Sequence, residues 1–350
     1  MSIFEKNPKK TLLCVTATSI LLIIIILEIV LRFTLPYNIG YYTAVQKEGK
    51  YIYPYGTIAV NSEGFPDTEF DLKSPKPRIG YFGDSVIMGI GAGDEFRMGD
   101  ILERQFPAYD HWTFAMMGNG LHEAILLSTI EKYDIDYVVY GFNLNDFLPP
   151  PNDSSQPVPT ENQGMGERLL QKLHIFTQNN LDGLRGKSYL YTALRTGAKN
   201  LLQQHGFGHT GFKEVELFPR ANRDIIEKTA QRFNKIQELL AQKNIGFCMI
   251  IFPYEMQISK QAAQTYHDIG IEWEDGFTEG SIQKLFLHAL NFSSVYDGRQ
   301  AFLQTTQNEP AGTYFVYNKG DKIDFNHPNR AGHALLAKGL SESRACPFLR

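Results

Sequence analysis

The chain has 350 residues, 43% of them hydrophobic, and a formal net charge of −4. That length suits one large α/β domain with additions, or two small ones. A slightly acidic chain with no dense Lys/Arg stripe is not built to bind nucleic acid.

In chain order, the first feature is apolar. Thr11 to Phe33 is rich in Leu and Ile, and Leu12 to Leu27 carries no charge. Roughly 20 helical residues at 1.5 Å each cross a hydrocarbon core of ~30 Å. Lys6, Lys9 and Lys10 precede the run, so the positive-inside rule keeps the N-terminus cytoplasmic. The expected arrangement is a retained signal anchor in the cytoplasmic (inner) membrane, single-pass, with the rest of the chain periplasmic or extracellular. A cleaved signal peptide is the competing reading, but no small-x-small cleavage site follows the run. Glu28 sits near the outer end of the run, as a charge at the membrane edge.

Residues 36–77 are rich in Tyr, Pro and Gly and read as a link, with a hairpin at the alternating Tyr51, Tyr53 and Tyr55. The expected strands are Arg78 to Gly83, Trp112 to Met117, Asp136 to Phe142, Gly246 to Phe252 and Ser294 to Tyr296. Helices are expected over Arg97 to Gln105, Leu121 to Lys132, Arg220 to Lys243, near Gln261, over Ser281 to Leu290, and after His327-Pro328. This alternation predicts a parallel five-stranded sheet covered by helices on both faces. Pro149-Pro150-Pro151 interrupts it, and residues 149–219 read as an insertion or lid with two weak helices, Glu167 to Phe176 and Ser188 to Gln204. The expected division is therefore 1–35 tail and anchor, 36–77 linker and entry, and 78–345 the main α/β domain with the insertion at about 149–219. Cys248 reads as a buried strand residue and Cys14 lies in the membrane run, so no disulfide framework is expected from the three cysteines Cys14, Cys248 and Cys346.

The chemistry lies at two ends of this domain. Gly83-Asp84-Ser85 closes the first strand of the expected sheet, and Asp324-Phe325-Asn326-His327-Pro328-Asn329 precedes the last helix. Serine needs an imidazole to take its proton, and the imidazole needs a carboxylate to fix its tautomer. Ser85, His327 and Asp324 supply the three. In parallel sheets the site lies beyond the carboxyl ends of the strands, where Ser85, Gly118, Asn143 and Asn145 fall. Asp84 reads as a capping group. His205 and His209 have ligand-like spacing but lie among glycines. Gly89-Ile90-Gly91-Ala92-Gly93 has Asp94 where a dinucleotide loop needs its last glycine. No metal and no cofactor are expected.

On these motifs the chain resembles the SGNH (GDSL) hydrolases, esterases and acetylesterases of a flavodoxin-like, three-layer α/β/α fold. Asn61-Ser62-Glu63-Gly64-Phe65 and Glu28-Ile29-Val30-Leu31-Arg32 are similar to a membrane-anchored bacterial subgroup. The resemblance implies Ser85 as nucleophile, His327 as base, Asp324 as its partner, and an oxyanion hole of Ser85 N–H, Gly118 N–H and an Asn amide. The family's N-x-G-x-x-G is here Thr113-Phe114-Ala115-Met116-Met117-Gly118, which keeps only the last Gly. Its G-x-N-D is split between Gly141-Phe142-Asn143 and Asn145-Asp146; the intact Asn-Asp pair favours Asn145, with Asn143 the alternative. The implied activity is a serine esterase or deacylase acting on an acylated small molecule, lipid or polysaccharide. Two alternatives stand beside it: an O-acyltransferase of cell-surface polysaccharide using the same triad, and a non-catalytic assembly protein on the same fold.

Overall fold

The computed structural model describes residues 7–34, 45–47, 49–53, 56–116, 123–147, isolated positions between 172 and 198, 223–268, 273–303, 310, 312–316 and 326–350. These fall into two compact units. One gathers helix α1 (Pro8–Thr34) with the described positions between 172 and 198; the other holds both sheets.

The smaller sheet is an antiparallel meander of β1 (Val45–Lys47), β2 (Lys50–Tyr53) and β3 (Gly56–Ala59). The hairpin expected around Tyr51 and Tyr53 is present as β2 and β3, and β1 adds a third strand to it. The larger sheet contains β4 (Arg78–Gly83), β5 (Asp110–Ala115), β6 (Tyr137–Phe142), β7 (Gly246–Ile251) and β8 (Val295–Asp297). Its order is β5-β4-β6-β7-β8 and every pairing is parallel. This is the doubly wound α/β arrangement, in which the order of strand addition switches sides at β4.

The helices are α2 (Ser85–Met88), α3 (Met98–Gln105), α4 (Glu123–Tyr133), α5 (Arg223–Gln242), α6 (Lys260–Asp268), α7 (Ser281–Ala289), α8 (Arg299–Leu303) and α9 (Arg330–Glu342). The central strands are buried on both faces, as their unbroken apolar runs require. Phe82, Val138, Tyr140, Phe142, Met249 and Ile251 share one core with Leu126 and Ile130 of α4, Ile226, Phe233 and Leu240 of α5, and Phe286 of α7. The opposite face, with Tyr81, Val139 and Cys248, lies under α3 and α9: Tyr81 packs at Gly99, and Tyr296 packs at Gly339. The spacing of Ile226, Ala230, Phe233, Ile236 and Leu240 puts the apolar residues of α5 on one stripe, which is buried.

One expectation fails here. Cys248 on β7 and Cys346, beyond α9, form a disulfide with a Cα–Cα distance of 5.3 Å. Strand Cys248 points to the α9 face, and the tail after α9 turns back over that face. Phe348 stacks on Tyr137 at 4.6 Å, and Leu349 is fully buried. No spacing rule pairs two cysteines 98 residues apart; the layer arrangement does.

Candidate active site

Strand register levels the site. Gly83 lies opposite Ala115 on one side and Gly141 on the other. The chain therefore leaves β4, β5 and β6 at one height, bringing Asp84-Ser85, Met116 and Asn143 to the same carboxyl edge. Gly83 has φ +156°, and a Cβ there would lie 2.7 Å from the Gly141 carbonyl oxygen, so only glycine lets the strands close at this point.

Ser85 opens α2, and Asp84 caps it: the Val86 N–H donates to Asp84 Oδ1 at 2.9 Å. This is the capping role expected of Asp84. The same carboxylate is fully buried and accepts from Asn143 Nδ2 at 2.9 Å through Oδ2, and also from the side chain of Asn145. Burial raises its pKa; the Val86 N–H, the charge of His327, Asn143 and Asn145 hold that rise back. Asn143 is itself fixed by Asp146, whose carboxylate accepts the Asn143 N–H at 2.9 Å. Both candidate asparagines thus converge on Asp84. Asn143 is fully buried, whereas Asn145 is half-buried.

His327 arrives from the far end of the chain. Its Nε2 lies 2.8 Å from Ser85 Oγ, and both residues are buried. The imidazole is carried by a short bridge: Val316 N–H donates to the His327 carbonyl at 3.0 Å and Asn329 N–H to the Tyr314 carbonyl at 2.9 Å. Asn329 also caps α9, accepting from the Ala331 and Gly332 N–H groups, while its Nδ2 contacts the carbonyls of Gly312, Thr313 and Phe315. One side chain thereby ties helix, bridge and His327 together. The glycine segment after Ser85 serves the same packing. Gly91 has φ +105°, and a Cβ on it would clash with the Pro328 carbonyl oxygen. Glycine at 91 lets the turn after the nucleophile lie directly against the loop of His327.

The structure brings together Ser85, His327, Asn143 and Asn145. Asp324, Gly118, His205 and His209 lie outside the described residues. Among the described residues, no group of three or more metal-ligating side chains occurs.

A buried ion cluster braces the second exit of the site, and the sequence did not single it out. Asn61 Oδ1 accepts the N–H groups of Glu63 and Phe65, an Asx turn that sets Asp67 in place. Asp67 Oδ2 then accepts the Thr113 N–H at 2.7 Å, and its Oδ1 faces Arg97 Nη2 at 3.3 Å. Arg97 is buried, also reaching Asp100 at 2.7 Å and the Pro66 carbonyl. The Asp67 carboxyl is raised by burial, and Arg97 opposes that rise. The Asn61-to-Phe65 turn thus supports β5 at Thr113. Its signal in the sequence was the motif itself, whose target was not readable.

No family model matches the chain, and no curated protein matches it. Among solved structures, the crystal structure of a protein assigned as a GDSL-like lipase from Parabacteroides merdae aligns over 78% of this chain and 96% of its own length. The two are 14% identical, with a TM-score of 0.35.

Proposed function

We propose that this protein is a serine esterase or deacylase of the SGNH (GDSL) type, held by α1 in the cytoplasmic membrane with its sheet domain outside. The observation that carries the reading is the contact of 2.8 Å between Ser85 Oγ and His327 Nε2 at the carboxyl edge of a parallel sheet. In the reaction, Ser85 Oγ attacks the ester carbonyl carbon as its proton passes to His327 Nε2. The tetrahedral oxyanion is held by the Ser85 N–H, the Gly118 N–H and the Asn145 amide. Collapse releases the alcohol, which takes the proton from His327. Water then attacks the acyl-serine by the same route, and the acid leaves. Asp324 orients the imidazole throughout.

Asn145 is preferred to Asn143 as the donor because it is only half-buried, whereas Asn143 is wholly buried; both side chains reach Asp84, so burial is what separates them. The location outside the cytoplasm is supported by α1, which is long and apolar enough to span a bilayer, and independently by the disulfide. Disulfides persist in oxidising compartments and are rare in the cytosol.

The test is a set of acyl-nitrophenyl esters offered to the full-length protein, with and without a sugar acceptor, beside the Ser85→Ala variant. Ser85→Ala should lose several orders of magnitude in turnover, with circular dichroism and melting unchanged. Near-wild-type turnover in that variant overturns the serine mechanism. Acylated sugar as the main product would move the assignment to acyl transfer.

A further inference from the structure

Glu28 is the one acidic residue of α1, and it lies six residues before the helix ends at Thr34, or about 9 Å along the axis. A carboxylate so close to an uncharged run is tolerated only where its oxygens find donors. They do. Ser188 Oγ donates to Glu28 Oε2 at 2.8 Å, the Leu190 N–H to the same oxygen at 2.9 Å, and the Tyr189 N–H to Oε1 at 3.0 Å. Arg32 Nε, one turn along α1, donates to Oε1 at 3.0 Å, and its guanidinium lies 5.4 Å from the ring centre of Tyr189.

The donors are the otherwise orphaned first N–H groups of a helical turn at residues 189–191. Ser188 completes the set, since its Oγ accepts the Tyr191 N–H at 3.1 Å. Three backbone donors and one hydroxyl are thus satisfied by one membrane-helix carboxylate and one serine. That is a built joint between α1 and the segment inserted between β6 and α5. The same segment leaves large apolar side chains open: Phe176 is 56% exposed, Leu184 45% and Leu194 64%. Such exposure matches that of α1 itself, where Ile24 is 45% exposed.

We propose that Glu28 clamps the inserted segment onto α1 at the outer membrane–water boundary, and that this segment is an interfacial membrane element whose Leu184 and Leu194 meet acyl chains. The occupant of the apolar face is the bilayer. The joint fixes the segment at a level only about 9 Å from the end of α1, where headgroups give way to hydrocarbon. The proposal rests on the reading of α1 as a membrane span.

The test uses full-length protein with Cys14→Ser, reconstituted in phosphatidylethanolamine/phosphatidylglycerol vesicles. Nitroxide labels are placed singly at Ile24→Cys and Leu194→Cys, and collision with oxygen is compared with collision with a water-soluble nickel chelate. Both labels should be oxygen-rich and nickel-poor. Adding Glu28→Ala should raise nickel access at position 194 several-fold and leave position 24 unchanged. Nickel access at position 24 sinks the span reading itself. A lipid-like position 24 with a water-exposed position 194 in the Glu28 protein overturns the interfacial assignment alone. A position 194 that stays lipid-like without Glu28 overturns the clamp. Should Glu28→Ala lose its circular dichroism, Glu28→Gln and Ser188→Ala carry the same comparison, because each removes part of the joint and keeps side-chain size.

Discussion

At the residue scale, Asp84 is the hub. It caps α2, ties the nucleophile turn to β6 through Asn143, and contacts Asn145. The two asparagines should therefore separate by phenotype. Asn145→Ala should lower turnover by roughly 10²- to 10³-fold with little change in KM, the usual result of losing one oxyanion donor. Asn143→Ala should instead cost about 1–3 kcal/mol of stability in a urea titration, since it strips a donor from a buried carboxylate. The reverse pattern would make Asn143 the oxyanion donor. His333 supplies a pH prediction. It is buried with Nδ1 accepting the Met98 N–H at 3.2 Å. Burial first, then the charges of His327 and Arg97, lower its pKa to about 3. An unfolded histidine titrates near 6.5. Between these values the unfolded chain binds the extra proton, so stability falls as pH drops from about 6.5 towards 3. By pH 5, His333 alone withdraws about 2 kcal/mol at 1.36 kcal/mol per unit. His111, lowered to about 4 by burial, adds in the same direction. Urea midpoints at pH 7 and pH 5 should differ less in His333→Gln than in the parent.

At the scale of elements, the turn at residues 61–67, the start of α3 and β5 meet through Arg97. This cation is 3% exposed and faces two carboxylates, Asp67 and Asp100. Its removal leaves the Asp67 carboxylate buried without a neighbouring cation. Arg97→Met should therefore destabilise the domain by about 3–5 kcal/mol, the range for a broken buried pair. Because Asp67 also holds the Thr113 N–H, the loss should reach the exit of β5. Hydrogen exchange at Thr113 rising above the global unfolding rate would show that local loosening. Unchanged exchange and an unchanged urea midpoint would remove the bracing role. The Asn61-to-Phe65 motif was visible in the sequence as a similarity. That it acts as a strut for β5 was not, since its partner Thr113 is distant in the chain.

At the scale of the molecule, the disulfide joins β7 of the larger sheet to the last residues of the chain. Closing a loop of about 100 residues restricts the unfolded chain, and native bridges of this kind stabilise by roughly 2–4 kcal/mol. Cys346→Ser should lower the melting temperature and loosen the tail carrying Phe348, read as faster proteolysis near residue 344. A melting temperature indifferent to both reductant and Cys346→Ser would show the bridge to be dispensable.

Much of this architecture is a local matter, and the chain states it. β4 spans the segment expected of it, and β6 and β7 lie within a residue of their expected ends, because apolar runs buried on both faces are bounded by polar or glycine residues; the shorter, half-buried β8 also lies within a residue of its expected ends. The stripe on α5 is likewise set by spacing. β5 starts at Asp110 and stops at Ala115, displaced from the expected Trp112-to-Met117 run, since strand ends depend on neighbours: Met116 still donates to Gly83 at 3.1 Å. Ser85 and His327 were legible as chemistry because their motifs flank predicted elements. Their 2.8 Å contact was not, being made across 242 residues by the packing of α9 and Gly91. The pairing of Cys248 with Cys346, the Arg97 cluster and the Glu28 joint belong to the same class. Each depends on which faces and ends the fold brings together, and pairwise periodicity within one segment carries no record of that.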